Sequence, residues 1–108
     1  MVNSNKKGRS FERQVRDFFQ GLFGSEQCRL HGPWESFDLT VGDVTVECKV
    51  RAREGGLATI YKWLDQANGG VVVAKLDRRK RIAITYLDDL VSICKKWGRL
   101  DRKDDEGG

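Results

Sequence analysis

The fold is decided by residues 37–50, which read FDLTVGDVTVECKV. Side chains of a β-strand alternate between its two faces with a period of two. The apolar side chains of this segment share one face, and they are Phe37, Leu39, Val41, Val44, Val46, Cys48 and Val50. The polar side chains share the other face, and they are Asp38, Thr40, Thr45, Glu47 and Lys49. Because a Gly-Asp pair separates the two alternating runs, the segment predicts a β-hairpin.

The register of this hairpin brings two carboxylates together. If Gly42 and Asp43 form a two-residue loop, Asp38 lies directly opposite Glu47. Like charges in that position destabilise a hairpin by ~0.2–1 kcal/mol, and a divalent cation would compensate for them. The segment therefore predicts a metal-binding face on which Lys49 adds a positive group. The alternative is a solvated polar face, on which the Glu47–Lys49 pair would contribute under ~1 kcal/mol.

Length and charge indicate one α/β (α+β) domain with a polyanionic partner. The chain of 108 residues is long enough for one hydrophobic core and too short for two. We expect the domain to span residues 1–98, with residues 1–7 as a basic arm and residues 99–108 as a charged, disordered tail. Lys and Arg number 20 against 16 Asp and Glu, and part of the acidic set lies in the tail. This balance favours nucleic acid, and an ordinary solvated surface is the alternative.

The cysteines indicate a reducing compartment, and we expect a cytoplasmic protein. There are three, Cys28, Cys48 and Cys94, far apart in the chain, and no segment resembles a secretory leader or a membrane span. We expect Cys48 and Cys94 to be small buried hydrophobic residues. A zinc site that includes Cys28 and His31 is the alternative, although the chain has no paired C-x-x-C motif.

Apolar periodicity predicts the other elements. We expect helices over residues 10–23, over residues 57–67 and from residue 87 to Gly98, and strands over residues 26–30, 71–76 and 81–86. The apolar stripe of the last helix would consist of Leu87, Leu90, Val91, Cys94 and Trp97. Glu12 falls at the edge of the apolar arc of the first helix, where it is either a solvated boundary residue or directed at a partner inside the fold.

These side chains suit phosphodiester hydrolysis. Hard cations such as Mg²⁺ take oxygen ligands, which Asp38, Glu47 and the carbonyl of Cys48 would supply, and Glu12 would join if its helix packs beside the hairpin. A bound divalent metal activates water and stabilises the charge that grows on a phosphate. Lys49 would orient or help to deprotonate the attacking water.

The pattern Lys7-Gly8-x-x-x-Glu12-Arg13, then Asp38-Leu39, then Val46-Glu47-Cys48-Lys49, resembles the PD-(D/E)XK nuclease superfamily. It is most similar to the small Holliday junction resolvases of archaea and their phage or prophage relatives, and residues 60–65 and 71–79 extend the similarity. This chain departs from the family pattern at two places. It has Ser36-Phe37 where the family has Pro or Gly before the aspartate, and His31-Gly32 where Ser-Gly is common in the resolvases. His31 is thus open to a role in catalysis, in DNA contact or in a loop hydrogen bond.

The resemblance implies a restriction-endonuclease-like core, a mixed five-stranded sheet flanked by helices. It further implies that Asp38 and Glu47 bind Mg²⁺ or Mn²⁺, that Lys49 is the catalytic lysine and that Glu12 completes the site. A homodimer would nick symmetry-related strands of a four-way DNA junction in a bacterial, archaeal or phage-infected cell. The alternatives are a less selective nuclease or nickase of this superfamily and a catalytically silent DNA-binding module.

DNA contacts are expected from basic residues around the metal, because phosphate contacts position branched DNA. The candidates are Lys6, Lys7, Arg9, Arg13, Arg29, His31, Arg51 and Arg53. The basic run at residues 78–81 is expected to be a solvated turn. Trp34, Tyr61 and Trp63 would either stack on exposed bases or form a dimer interface, and the position of Trp63 off the apolar stripe favours subunit contact.

Overall fold

The predicted hairpin lies at the centre of the sheet in the computed structural model, which describes residues 4–32, 38–53 and 55–100, with side chains from residue 8 onward. Its register is confirmed, since Leu39 pairs with Val46, Thr40 with Thr45 and Val41 with Val44. Gly42 turns the chain with a positive φ of 59°, a conformation that glycine adopts without strain.

Three helices and five strands follow one another along the chain. Their order is α1 (Ser4–Phe23), a 3₁₀ turn (Ser25–Gln27), β1 (Cys28–Leu30), β2 (Leu39–Val41), β3 (Val44–Arg51), α2 (Leu57–Ala67), β4 (Val71–Leu76), β5 (Ile82–Ile84) and α3 (Leu87–Gly98). The strands form one sheet in the order β1-β2-β3-β4-β5. All neighbours are antiparallel except β3 and β4, which are parallel and joined through α2. The predicted mixed five-stranded α+β architecture is therefore confirmed.

The two faces of the sheet bury two separate apolar clusters. On one face, α1 packs through Phe11, Val15 and Phe19, and α3 packs through Ile93. On the opposite face, α2 packs through Leu64 and Ala67 against alternate residues of β4. Because β3 contributes alternate side chains to each face, the position of a residue along β3 decides which helix it meets.

The first helix begins six residues before the expected start at Ser10. The stretch from Ser4 to Arg9 contains no proline, and its lysines favour helix, so the cost of Gly8 does not stop the helix from extending. The prediction of a separate arm is wrong for residues 4–7. Residues 1–3 and the predicted tail at 101–108 lie outside the described residues.

The last helix packs against the core through Trp97, as expected, and through Ile93, which lies outside the expected stripe. Ile93 and Trp97 face the sheet, while Leu87 and Val91 are 79% and 61% exposed and Cys94 is also exposed. The Nε1–H of Trp97 donates a hydrogen bond of 3.1 Å to the Val41 carbonyl, which sets the rotation of α3. The expected burial of Cys94 is therefore wrong, because the helix carries apolar residues around more than one face. None of the described helices is long and apolar enough to cross a membrane.

Candidate active site

Asp38 lies at the point where β2 begins, and its carboxylate is directed at β3. The Oδ2 atom accepts a hydrogen bond of 2.7 Å from the Cys48 backbone N–H. Paired residues of the hairpin end at Leu39 and Val46, so Asp38 sits in a bend and is not the strand partner of Glu47 that the register predicted. That detail of the prediction is wrong because β2 does not begin until Leu39, and Asp38 bonds to β3 through its side chain and not as a strand partner.

Glu47 is buried, although the strand pattern placed it on the polar face. It is only 5% exposed, because α2 covers this face of β3 and β4. The pKa of Glu47 is raised to about 7, first by burial and then by the neighbouring charge and hydrogen bond of Asp38. The Nζ atom of Lys49, 3.8 Å from the Glu47 Oε2, lowers that pKa in part. The alternative of a solvated, exposed ion pair is therefore wrong.

Glu12 reaches the same place from α1. Its side chain is half-buried, and burial raises its pKa to about 7, with further contributions from the charge of Asp38 and from a hydrogen bond between the two carboxyl groups. Arg9, three residues before Glu12 on the helix, and Arg13, the residue after it, lower the pKa in part. Of the two readings for Glu12, the structure supports a side chain directed at a partner inside the fold, and that partner is Asp38.

Asp38 thus joins two carboxyl groups that come from different elements. Both Glu12 and Glu47 hydrogen-bond with it, and both hold protons up to about pH 7. A proton can bridge such a pair at low pH, but it is lost above neutrality and leaves repelling charges in a site of low dielectric. A cation would supply the compensation that protons supply at low pH.

Among the described residues, no three His, Cys, Asp or Glu side chains are gathered closely enough to hold a metal ion together. Mg²⁺, however, is typically held by one or two carboxylates, with water and substrate oxygens completing its shell. Asp38 and Glu47 fit that requirement as oxygen donors. Glu12 acts on the pair through its hydrogen bond to Asp38.

The backbone of Cys48 faces the same region, whereas its thiol is not a ligand candidate. In a β-strand the N–H and the carbonyl of one residue point to the same side, so the Cys48 carbonyl is on the side of Asp38. Burial and the nearby carboxylates raise the pKa of the Cys48 thiol, which keeps it protonated at neutral pH. The predicted contribution of this residue through its carbonyl is compatible with the structure.

The predicted DNA-contacting residues come from α1, from β1 and from the end of β3 and the residues just after it. Arg9, Arg13, Arg29, Arg51 and Arg53 are exposed, while the side chains of Lys6 and Lys7 lie outside the described residues. Of these, Arg9 and Arg13 act electrostatically on Glu12 and are therefore near the site.

His31 makes structural contacts beside Asp38. Its Nε2 atom lies 3.2 Å from the Thr40 Oγ1, and its backbone N–H donates to the Asp38 carbonyl at 3.0 Å. The loop hydrogen bond considered for His31 is thus present, and the residue helps to hold Asp38 just before the start of β2.

The surroundings of Trp63 differ from those that the sequence predicted. It is half-buried and packs with Ile60 and Ile84 at the second apolar cluster, so its assignment to a position off the apolar face is wrong. The Arg51 guanidinium lies over its ring, with Cζ 5.4 Å from the ring centroid. The spacing of three residues from Ile60 is the signal that would have placed it on that face. Trp34 lies outside the described residues.

Comparisons with known proteins identify no relative. No family model, curated protein or solved structure matches the chain. The chemistry of the site follows from the arrangement of Glu12, Asp38, Glu47 and Lys49.

Proposed function

We propose that the protein is a metal-dependent DNA endonuclease of the PD-(D/E)XK type that resolves Holliday junctions by hydrolysing phosphodiester bonds. The observation that carries this proposal is the cluster in which Glu12 and Glu47, each with a pKa of about 7, hydrogen-bond with Asp38 beside Lys49. Such a cluster weakens the folded protein at neutral pH, and a module that only binds DNA has no use for it. Perturbed carboxyl groups of this kind are typical of functional sites.

Asp38, Glu47 and the Cys48 carbonyl would hold Mg²⁺ or Mn²⁺, and Glu12 would orient Asp38. When bound, the metal lowers the pKa of a water molecule and stabilises the charge that grows on the phosphate. Lys49, held beside Glu47, orients the attacking water and neutralises part of the negative charge on the phosphate. Burial of Glu47 keeps bulk water away and strengthens these interactions.

The charges around the site support a substrate recognised through its backbone. Arg9 and Arg13 flank Glu12 along α1, and Arg51 and Arg53 continue from the end of β3. Contacts of this kind position a nucleic acid without reading its sequence, which suits a junction defined by its shape. Symmetric nicking requires two sites, and we propose a homodimer that acts in recombination and repair. The free Cys28, Cys48 and Cys94 support the cytoplasm as its compartment.

The decisive experiment compares cleavage of a synthetic four-way junction, a linear duplex and a single strand, each with Mg²⁺ or with EDTA. We expect paired nicks in the junction with Mg²⁺ only, and their loss in Asp38→Asn, whose amide oxygen can still accept the Cys48 hydrogen bond. Asp43→Asn, in the exposed hairpin turn, is the matched control and should cut like the wild type.

Each other outcome points to a different function. Equal cutting of the linear duplex would contradict resolution of junctions and favour the less selective nuclease, since Asp38, Glu47 and Lys49 face a phosphate that all DNA shares. Binding without any Mg²⁺-dependent cutting would favour the silent binding module. Cutting that survives EDTA or Asp38→Asn would contradict the mechanism.

A further inference from the structure

A second site is formed on the face of the sheet that α2 covers. A cleft of about 270 Å³ lies between α2 and the strands β3, β4 and β5. Its floor is formed by Ala74, Leu76, Ile82 and Ile84, and Ile60 and Trp63 form the wall on the helix side. Clefts for drug-sized ligands typically span ~300–1,000 Å³, so a cleft at the lower limit suits a single flat ring system.

Trp63 and Arg51 form the polar end of this cleft. The half-buried indole lines it, and the exposed guanidinium of Arg51 lies over the indole at 5.4 Å. Lys75 also borders the cleft, but strand alternation directs its side chain to the α1 face, where it lines a separate pocket with Val50. Among the described lining residues, Arg51 is therefore the cation that this cleft presents. Apolar walls, one indole and one cation favour a ligand that has a flat ring and, next to the ring, a negatively charged group.

The cleft and the carboxylate site share one face of the strand β3. Glu47, Lys49 and Arg51 are alternate residues of β3 and so share the α2 face. At ~3.3 Å per residue, Arg51 lies about 7 Å from Lys49 and about 13 Å from Glu47 along the strand. A DNA strand with one phosphate at Glu47 and Lys49 would bring a neighbouring nucleotide to Arg51 and Trp63.

We propose that this cleft binds an unpaired base of a DNA strand, stacked against Trp63, while Arg51 contacts an adjacent phosphate. The proposal rests on the proposed function for its choice of DNA. Every base has a π-face that stacks on aromatic rings and on guanidinium planes, so no particular base sequence is required. A continuous duplex offers no unpaired base, whereas a strand that opens at a branch point does. The cleft would thus add a preference for opened DNA to a site that contacts only phosphate.

The test measures binding of a short single-stranded DNA to the wild-type protein in EDTA, so that cleavage plays no part. An abasic residue, which keeps the phosphates but lacks a base, is placed at each position in turn. We expect one position at which the missing base weakens binding by about ten-fold. In Trp63→Leu the same abasic residue should weaken binding by under about two-fold.

Matched variants separate stacking from a loss of folding. Leu57→Ala changes an exposed apolar residue of the same helix that does not line the cleft, and it should keep the full effect of the missing base. Arg51→Ala should lower the slope of log affinity against log salt by about 0.7, and Arg51→Lys should restore it. Far-UV circular dichroism checks that each variant is folded.

An equal effect of the missing base in the wild type and in Trp63→Leu would overturn the proposal, as would the absence of any position-dependent effect. Tighter binding of the matching RNA strand would overturn the choice of DNA. Failure of the proposed function gives a different result. If the missing base has an effect that depends on Trp63 in EDTA but no DNA is cleaved in Mg²⁺, the proposed nuclease activity is contradicted and the base-binding cleft is supported.

Discussion

Replacing Glu47 with glutamine should stabilise the protein at alkaline pH. The pKa of Glu47 in the folded chain is about 7, against 4.5 for an ordinary glutamate. A group whose pKa is raised by folding contributes stability that is fully present below its unfolded pKa and lost as the pH rises through its folded pKa. For Glu47, the loss therefore occurs between about pH 4.5 and pH 7 and is complete by about pH 8.

The size of the effect follows from this change in pKa. A rise from 4.5 to about 7 corresponds to a loss of roughly 3 kcal/mol in the free energy of unfolding, at about 1.4 kcal/mol for each pH unit. Glutamine keeps the shape of the side chain and removes this loss, and the attraction of Lys49 is already part of the roughly 3 kcal/mol because Lys49 lowers the same pKa. We expect Glu47→Gln to gain about 3 kcal/mol at pH 8, which for a domain of this size is roughly 15 °C in Tm, and to gain under ~1 kcal/mol at pH 5.

Urea unfolding in EDTA, followed by circular dichroism at pH 5 and pH 8, measures both values. Glu26→Gln, at an exposed glutamate of the 3₁₀ turn, is the matched control and should show no comparable dependence on pH. The reasoning is refuted if Glu47→Gln has the same effect at both pH values, or if it destabilises the protein at pH 8.

Four further predictions address the metal, the contact of α3, the sheet and α1. Mg²⁺ should raise the Tm of the wild type at pH 8 more than at pH 5, because protons compete for the carboxylates, and thermal scans should show this effect lost in Asp38→Asn. Trp97→Phe removes the hydrogen bond to the β2 carbonyl and should cost about 1–3 kcal/mol in urea unfolding, whereas no change would contradict its role in orienting α3. Gly70→Ala would drive a Cβ atom into the Thr45 backbone and should cost about 2 kcal/mol or more. Gly21→Ala, in open space on α1, should instead stabilise by ~0.5–1 kcal/mol.

The hairpin was predictable because its information is local. Alternation over residues 37–50 and a glycine at the turn specify both the faces and the register, and a slip of one residue would move every apolar side chain to the wrong face. The stop of α2 was predictable for the same reason, since Asn68 adopts the left-handed conformation that ends a helix. Strong local patterns of this kind leave few alternatives for the tertiary structure to choose from.

The rotation of α3 and the environment of Trp63 were not predictable. The α3 helix carries apolar residues around more than one face, so periodicity identified the contact of Trp97 but did not select Ile93 over Leu87 and Val91. For Trp63, the neighbouring strands decide whether a side chain at the edge of a stripe is covered. Both outcomes depend on partners that are distant in the chain.

The sequence by itself determined that Asp38, Glu47 and Lys49 belong to one hairpin, because strand alternation and turn length act over a few residues. Only the tertiary structure decided that Glu47 is buried beneath α2, that Asp38 turns its carboxylate to the backbone of Cys48, and that Glu12 reaches it from α1. The physical reason is that the pKa of a carboxyl group depends on the solvent and charges that surround it, and these come from segments far apart in the chain.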